Sequence, residues 1–214
     1  MAQARRSTAE MWTLIHEVRE KVAGELAVLL PEQWDAASLC AGWRVRDVAA
    51  HCVETNRRTR TSSLAQYLMS GFRFNTMAAK DVARHKSDTT DELLAQYRES
   101  MSGTNAPPEP KVTILGEAVI HAEDMFRPIG RRVEPPPAAL AATLAYARAS
   151  TLLLHGKQRS AGLRLRATDI DWTSGDGPDV SGPAASLILA ITGRPAGLAD
   201  LGGEGLETLR SRLS

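Results

Sequence analysis

Two histidines and one glutamate are the residues of this 214-residue chain whose types and spacing suggest chemistry. Glu117 and His121 lie four apart in GEAVIHAED, so on a helix they project from one face, with Asp124 one turn further on. His51 lies in a second apolar segment, VAAHCVE. Two histidines and one carboxylate are a ligand set for zinc with an open coordination position, and the set also suits Ni²⁺ or Fe²⁺. His51, Glu117 and His121 are therefore candidate metal ligands.

The same spacing has other interpretations. A Glu–His ion pair packed against another helix would produce the same pattern. Asp124 either orients a ligand by accepting a hydrogen bond from it or pairs with Arg127 at the surface. Cys52 follows His51 directly and points about 100° away on a helix, so we expect it in the core. The other histidines, at positions 16, 85 and 155, are interpreted as solvated or locally bonded.

Composition excludes several classes of function. A net charge of +1 gives no reason to expect a nucleic acid or an anionic membrane as partner. The two cysteines form no CxxC pair, and the chain contains no GxSxG, Walker or GxGxxG motif. The first residues lack the apolar stretch of a signal peptide, and no run approaches about 18 apolar residues. We therefore expect a soluble, cytoplasmic protein.

The spacing of the apolar residues predicts that the elements that must position these residues are mostly helices. Ser7 and Glu10 form a capping box, and Pro31 ends the first helix. In GLRLRATDIDW the apolar residues alternate with polar ones, which predicts a strand, and TSGDGPDVSGP is typical of turns. We therefore expect a helical bundle over residues 1–157 and a small α+β domain over 158–214. The predicted helices are 8–30, 45–69, 91–101, 112–127, 138–155, a buried helix in AASLILAITG capped by Gly193, and 204–213.

Three blocks of the sequence carry a resemblance to a known family. They are AGWRVRDVAAHCVE (41–54), GEAVIHAEDMFRPIG (116–130) and ATDIDW…GPDVSGPAASLILAITGRP (167–195). Together they resemble the mycothiol-dependent maleylpyruvate isomerase family, which belongs to the DinB-like group of metal-binding helical bundles. The blocks lie in the family's order and span nearly the whole chain. The resemblance implies a mainly α fold: a DinB-like four-helix bundle with a small C-terminal α+β, sterol-carrier-like extension.

The resemblance also implies a chemistry. The family's zinc ligands fall on His51, Glu117 and His121, and its conserved aspartate falls on Asp124. Its C-terminal Gly-Arg falls on Gly193 and Arg194, where the arginine faces substrate or thiol. Family members use mycothiol, the low-molecular-weight thiol of actinobacteria, and the Ala- and Arg-rich composition fits such a source. The metal would hold the thiol as thiolate for addition to a small electrophile, in an S-transferase or a cis-trans isomerase.

The sequence departs from the family pattern in two respects, and several alternative functions stay open at this point. Arg44 stands where many relatives have a Thr or Ser helix N-cap. The tail of about 57 residues is near the short end for the family's sterol-carrier-like domain, so we expect part of the substrate wall to be missing or rebuilt. A hydrolase that uses zinc-bound water and a non-catalytic binding protein are the alternative functions, and the protein is expected as a monomer or homodimer. Besides Arg194, the candidate carboxylate anchors are Arg57, Arg58 and Arg73.

Overall fold

The computed structural model describes residues 7–59, 61–62, 74–106 and 110–213. The fold is mainly α, as predicted. In chain order the helices are α1 (Thr8–Leu26), α2 (Pro31–Trp34), α3 (Val45–Arg57), α4 (Phe74–Arg84), α5 (Thr90–Met101), α6 (Lys111–Phe126), α7 (Pro137–Ala149), α8 (Gly156–Arg159), α9 (Ala184–Ile191) and α10 (Leu206–Ser211). The strands are β1 (Arg164–Ala167), β2 (Thr173–Ser174) and β3 (Asp179–Gly182). Among the described residues, no helix has both the length and the apolar character that crossing a membrane requires.

Local capping explains where the long helices begin. At the start of α1, the Ser7 hydroxyl accepts from the Glu10 amide at 3.2 Å and the Glu10 carboxylate accepts from the Ser7 amide at 2.7 Å, which confirms the predicted capping box. The helix ends at Leu26, before the predicted end at residue 30. Thr89 and Glu92 make the same reciprocal pair at the start of α5. Helix α1 therefore begins at the predicted residue, and α5 begins one residue before its predicted start at 91.

Helix α3 begins without a side-chain cap from Arg44, the position that departs from the family pattern. Asp47 takes over part of that role, since its carboxylate accepts from the Arg44 amide at 2.9 Å and also pairs with the guanidinium. The helix ends at Arg57, so the predicted continuous helix from 45 to 69 is wrong: the backbone of Arg58 is extended, and its side chain pairs with α4. Residues 60 and 63–69 of the predicted helix, and the candidate anchor Arg73, lie outside the described residues.

The N-terminal compact unit, Met1–Glu134, contains the bundle. Helices α1, α3, α5 and α6 pack around one core, and α4 packs against α3. Both α3 and α6 contribute buried apolar residues to this core, so their facing sides are fixed by the burial of apolar surface. The core includes Val22, Leu26, Trp34, Val45, Val48, Val53, Leu93, Tyr97, Met125 and Phe126.

The C-terminal compact unit, Pro135–Ser214, contains α7 to α10 and a three-stranded sheet in the order β2-β1-β3. Strand β1 is antiparallel to β2 and parallel to β3, with Leu165 opposite Val180. The segment predicted only as turns thus supplies β2 and β3. Helix α9 packs on α7 and is followed by Gly193 at φ +93°, the predicted cap.

Helix α7 ends at Ala149, although the sequence predicts helix to residue 155. His155 instead adopts a left-handed conformation, with φ 53°, immediately before α8. Because α7 packs with the C-terminal elements, the boundary between compact units lies at residues 134 and 135. The predicted domain division after residue 157 therefore falls inside the second unit, and it stays a prediction.

Candidate metal centre

Helices α3 and α6 bring the three predicted ligands together. His51 lies in the middle of α3, and Glu117 and His121 lie on adjacent turns of α6, which packs directly on α3. One ligand atom from each residue lies within 4.8 Å of those of the other two. The imidazole rings of His51 and His121 are 5.3 Å apart between centroids and meet edge to face at 88°. The expected juxtaposition is therefore present in the fold.

The carboxylate of Glu117 indicates that this cluster suits a cation. Its Oε1 atom is buried and has no hydrogen-bond partner within the part of the chain that the structure describes. It lies 3.7 Å from Nε2 of His51. A buried polar atom without a partner costs about 1–3 kcal/mol, and a metal ion would satisfy it. Two imidazoles and one carboxylate are also a donor set that zinc uses with an open position, so the residues fit such an ion.

On α6, Asp124 supports His121 from within the same helix. The Asp124 Oδ2 atom lies 3.0 Å from Nδ1 of His121, and Asp124 is fully buried, which rules out the interpretation of a surface residue. Burial alone lowers the pKa of His121, but hydrogen bonds with Asp124 and Cys40 outweigh it and raise the pKa to about 10. With Nδ1 held by Asp124, Nε2 is the nitrogen left for a metal.

A second aspartate, Asp81 on α4, contacts His51 and was not predicted. Its Oδ2 atom lies 3.2 Å from Nδ1 of His51 and accepts from Arg58 Nη2 at 2.6 Å. Burial alone would raise the pKa of Asp81, but the hydrogen bonds from His51 and Arg58 lower it below its usual range. The available signal was the spacing of Met77 and Asp81, both buried and four apart, in a segment where no helix was predicted.

Cys40 lies beside the pair formed by His121 and Asp124. Its thiol donates to Oδ2 of Asp124 at 3.3 Å, and the ligand atoms of Cys40, His121 and Asp124 also lie within 4.8 Å of one another. This cluster is already hydrogen-bonded through Asp124, whereas the Glu117 oxygen has no such partner in the part of the chain that the structure describes. The three predicted ligands are therefore the better fit for a metal. Cys52, in contrast, is buried in the core as predicted, and burial raises the pKa of its thiol well above the usual value.

A buried arginine, Arg19, lies beside the carboxylate of Glu117. Arg19 and Glu117 line a small cavity of about 10 Å³, room for about one water molecule, together with Cys52, Asn56 and Tyr97. Arg19 is buried and donates from Nη1 to the carbonyls of residues 101 and 103 at 3.4 and 3.3 Å. Burial lowers the pKa of its guanidinium. Nothing in the sequence distinguished Arg19 from other polar residues of α1.

Three of the four candidate carboxylate anchors have partners in the structure. Arg57 pairs with Glu99 at 2.8 Å, and Arg58 pairs with Asp81, so both candidate anchors make ion pairs within the N-terminal unit. Arg73 lies outside the described residues. Arg194 belongs to the C-terminal unit, where its Nη1 donates to the carbonyl of Thr192 at 3.1 Å. Its role toward substrate or thiol stays a prediction.

His85 is locally bonded, which was one of the two predicted possibilities, but it is buried rather than solvated. Its Nδ1 lies 2.8 Å from Asp88 and its Nε2 lies 3.2 Å from Glu54, so each ring nitrogen has a carboxylate partner. It thus has no free nitrogen for a metal in this arrangement.

A family of known proteins matches the segment that contains the candidate metal centre. The sequence model of the mycothiol maleylpyruvate isomerase N-terminal domain matches residues 15–156, a segment that contains all three predicted ligands. The chain belongs to this family. The matched segment ends one residue before the predicted domain boundary at 157. No curated protein matches the chain.

Solved structures agree with the family assignment at the level of the fold. The chain is similar to a crystal structure of the mycothiol-dependent maleylpyruvate isomerase, with a TM-score of 0.63, 17% identity and 93% of each chain covered. It is also similar to a histidine-to-alanine mutant of that enzyme, with a TM-score of 0.61, the same identity and the same coverage. The predicted family and fold class are thereby confirmed.

Proposed function

We propose that this chain is a mycothiol-dependent enzyme that uses a zinc ion held by His51, Glu117 and His121. The observation that carries the proposal is the buried Glu117 oxygen, which has no hydrogen-bond partner among the described residues and faces a histidine nitrogen in a chain of the mycothiol maleylpyruvate isomerase family. The two imidazoles are neutral ligands, so the single carboxylate leaves a site with net positive charge. Such a site attracts an anionic sulfur ligand.

Zinc, when bound, lowers the pKa of a thiol that coordinates it and so keeps mycothiol nucleophilic at neutral pH. The residues of the chain orient and balance this site. Asp124 holds the His121 ring through Nδ1, which directs Nε2 toward the ligand cluster. Arg19 places a buried positive charge beside Glu117. Arg194 is proposed to bind a carboxylate of the substrate or of the thiol.

The reaction that follows depends on the substrate. The sulfur forms a bond to one carbon of an activated cis-alkene, and the electron pair of the double bond moves to the carbonyl. Rotation about the resulting single bond and elimination of the sulfur regenerate thiol and trans product. If protonation replaces elimination, the product is the thiol conjugate. Both outcomes use the same nucleophile, so S-transferase and isomerase differ in the substrate pocket and not in the proposed metal ligands.

The proposal is tested by the metal content of purified protein and by titration of mycothiol. We expect about one zinc per chain in the wild type and loss of that zinc in His51→Ala, since removal of one of three ligands opens the site. His16→Ala, which changes a histidine outside the cluster, is the matched control. Zinc-loaded protein should bind mycothiol, and a maleylpyruvate-type cis-enone should be isomerised only when thiol is present. Absence of stoichiometric zinc in the wild type, or amide hydrolysis that needs no thiol, would overturn the proposal.

A further inference from the structure

The support of His51 comes from a helix that does not carry any of the ligands. Asp81 lies on α4, thirty residues from His51 in sequence, and its Oδ2 atom lies 3.2 Å from the Nδ1 atom of His51. The other ring nitrogen, Nε2, faces the oxygen of Glu117 at 3.7 Å. The ring thus has a carboxylate on each side, one behind it and one among the proposed ligands.

Asp81 is held in place by two arginines that contact different oxygens. Arg58 donates to Oδ2, the same oxygen that faces His51, at 2.6 Å, and Arg84 donates to Oδ1 at 3.1 Å. The side chains of Asp81 and Arg58 are 1% and 8% exposed, whereas that of Arg84 is 47% exposed. The pair of Asp81 and Arg58 is therefore a buried ion pair directly behind His51, and Arg84 is a surface partner.

We propose that Asp81 is a positioning residue for His51, and that Arg58 acts through it by fixing the oxygen that accepts from the histidine. A neutral imidazole carries its proton on one nitrogen only, and the hydrogen bond of the other nitrogen decides which. With Nδ1–H donated to Asp81, the lone pair of Nε2 points toward Glu117, where a metal needs it. Carboxylates in this position also raise the basicity of the ligating nitrogen. This inference rests on the proposed metal site.

A purely structural role for the ion pair is the alternative. The salt bridge joins the end of α3 to α4 and would tie the two helices together without affecting the histidine. The two roles differ in the zinc affinity that they predict and in which nitrogen of the His51 ring carries the proton. Zinc affinity and the position of this proton are therefore measured besides thermal stability.

The first experiment measures zinc affinity by competition with a chromophoric chelator. Asp81→Asn keeps the shape of the side chain but removes its charge, and the amide nitrogen then faces either Arg84 or both Arg58 and His51. We expect zinc binding about 10–100-fold weaker than in the wild type. The matched control is Asp88→Asn, which makes the same change at a carboxylate 2.8 Å from His85, a histidine outside the ligand cluster. We expect its zinc affinity to stay within about threefold of the wild type, the scatter typical of surface substitutions.

The second experiment tests whether Arg58 acts through Asp81. Arg58→Gln should weaken zinc binding more than Arg84→Gln, because only Arg58 contacts the oxygen that faces His51. In the Asp81→Asn background, Arg58→Gln should have little further effect on zinc affinity, since partners in one network are not additive. Equal effects of the two arginine variants, or full additivity, would contradict this part of the inference.

The third experiment needs no variant, so it stands even if Asp81→Asn does not fold. In zinc-loaded, ¹⁵N-histidine-labelled wild type, NMR should show His51 protonated at Nδ1 and metal-bound through Nε2. Metal binding through Nδ1 would overturn the inference. So would zinc affinity of folded Asp81→Asn within about threefold of the wild type, with the proposed function left intact. A wild type that binds no zinc would overturn the proposed function itself, and this inference with it.

Discussion

The two histidines of the candidate metal centre obtain their support in different ways. His121 is held by Asp124, three residues further along the same helix, so the contact follows from the geometry of α6 alone. His51 is held by Asp81, which reaches it only because α4 packs against α3. One half of the centre is thus formed by local structure and the other half by tertiary structure. The same kind of contact, a carboxylate that holds Nδ1 of a histidine, therefore needs only one helix at His121 but the packing of two helices at His51.

The strongest way to break the centre is to remove a ligand from the locally organised half. We expect Glu117→Gln to lower zinc affinity by more than about 100-fold, beyond the range that hydrogen-bond partners of ligands produce, because it removes the only negatively charged ligand. Zinc content by mass spectrometry and competition with a chelator measure this. Glu99→Gln, at an exposed glutamate that pairs with Arg57, should retain full zinc. Normal zinc binding by Glu117→Gln would exclude this glutamate as a ligand.

Removing Asp124, which holds His121 from the same helix, tests the distinction between local and tertiary support. Asp124→Asn should weaken zinc binding by about 10–100-fold, the same range as expected for Asp81→Asn. Because Asp124 lies on the helix of its histidine, its effect should persist when α4 is destabilised, for example in Arg84→Gln. The effect of Asp81→Asn should shrink in that background, because α4 already holds Asp81 less firmly. Chelator competition on the three single and two double variants measures the difference. Identical behaviour of both aspartates in the Arg84→Gln background would contradict the distinction.

The pH dependence of zinc binding should follow the loss of a proton from His121. The pKa of His121 is raised from 6.5 to about 10, so its contribution to the stability of zinc-free protein is complete below about pH 6.5 and is lost as pH rises through about 10. Zinc requires the unprotonated Nε2 and must displace that proton. We therefore expect zinc affinity to rise about tenfold per pH unit between pH 6 and 8, if one proton is released. Asp124→Asn, which removes a group that raises this pKa, should flatten the rise. An affinity independent of pH in the wild type would contradict this account of His121.

The smallest effect is expected at Cys40, which contacts Asp124 but does not belong to the proposed ligand set. Cys40→Ser keeps a donor toward the carboxylate, so zinc affinity should change by less than about threefold. A loss of zinc as large as in Glu117→Gln would instead place the ion in the cluster of Cys40, His121 and Asp124.

The same distinction explains how much of the site could be predicted from the sequence. Glu117, His121 and Asp124 share a helical face by spacing, and His51 was the histidine in a second apolar helical segment. Asp81 could not be predicted in this way, because its partner is thirty residues away and nothing in the spacing of α3 indicates which helix covers His51. Arg58 was missed for a related reason: the predicted helix continued past it, whereas its backbone becomes extended and its side chain turns to Asp81.

In the fold, too, features set by local contacts were predicted, whereas features set by contacts distant in sequence were not. Helix starts with reciprocal side-chain caps, such as Ser7 with Glu10, were predicted correctly, since all the contacts are local. Strand β3 was predicted as a turn because it is rich in turn-forming residues, yet it pairs in parallel with β1 through contacts that are not local. The position of α7 likewise depends on its packing against α9, which its own sequence does not reveal.

X-ray absorption spectroscopy of zinc-loaded protein, before and after addition of mycothiol, tests the central claim most directly. Before addition, we expect only nitrogen and oxygen ligands at about 2.0–2.2 Å, because the proposed ligands are two imidazoles and one carboxylate. After addition, one sulfur at about 2.3 Å should appear, since the open position accepts the thiol. A sulfur ligand already present without mycothiol, or none after saturation with it, would contradict the account.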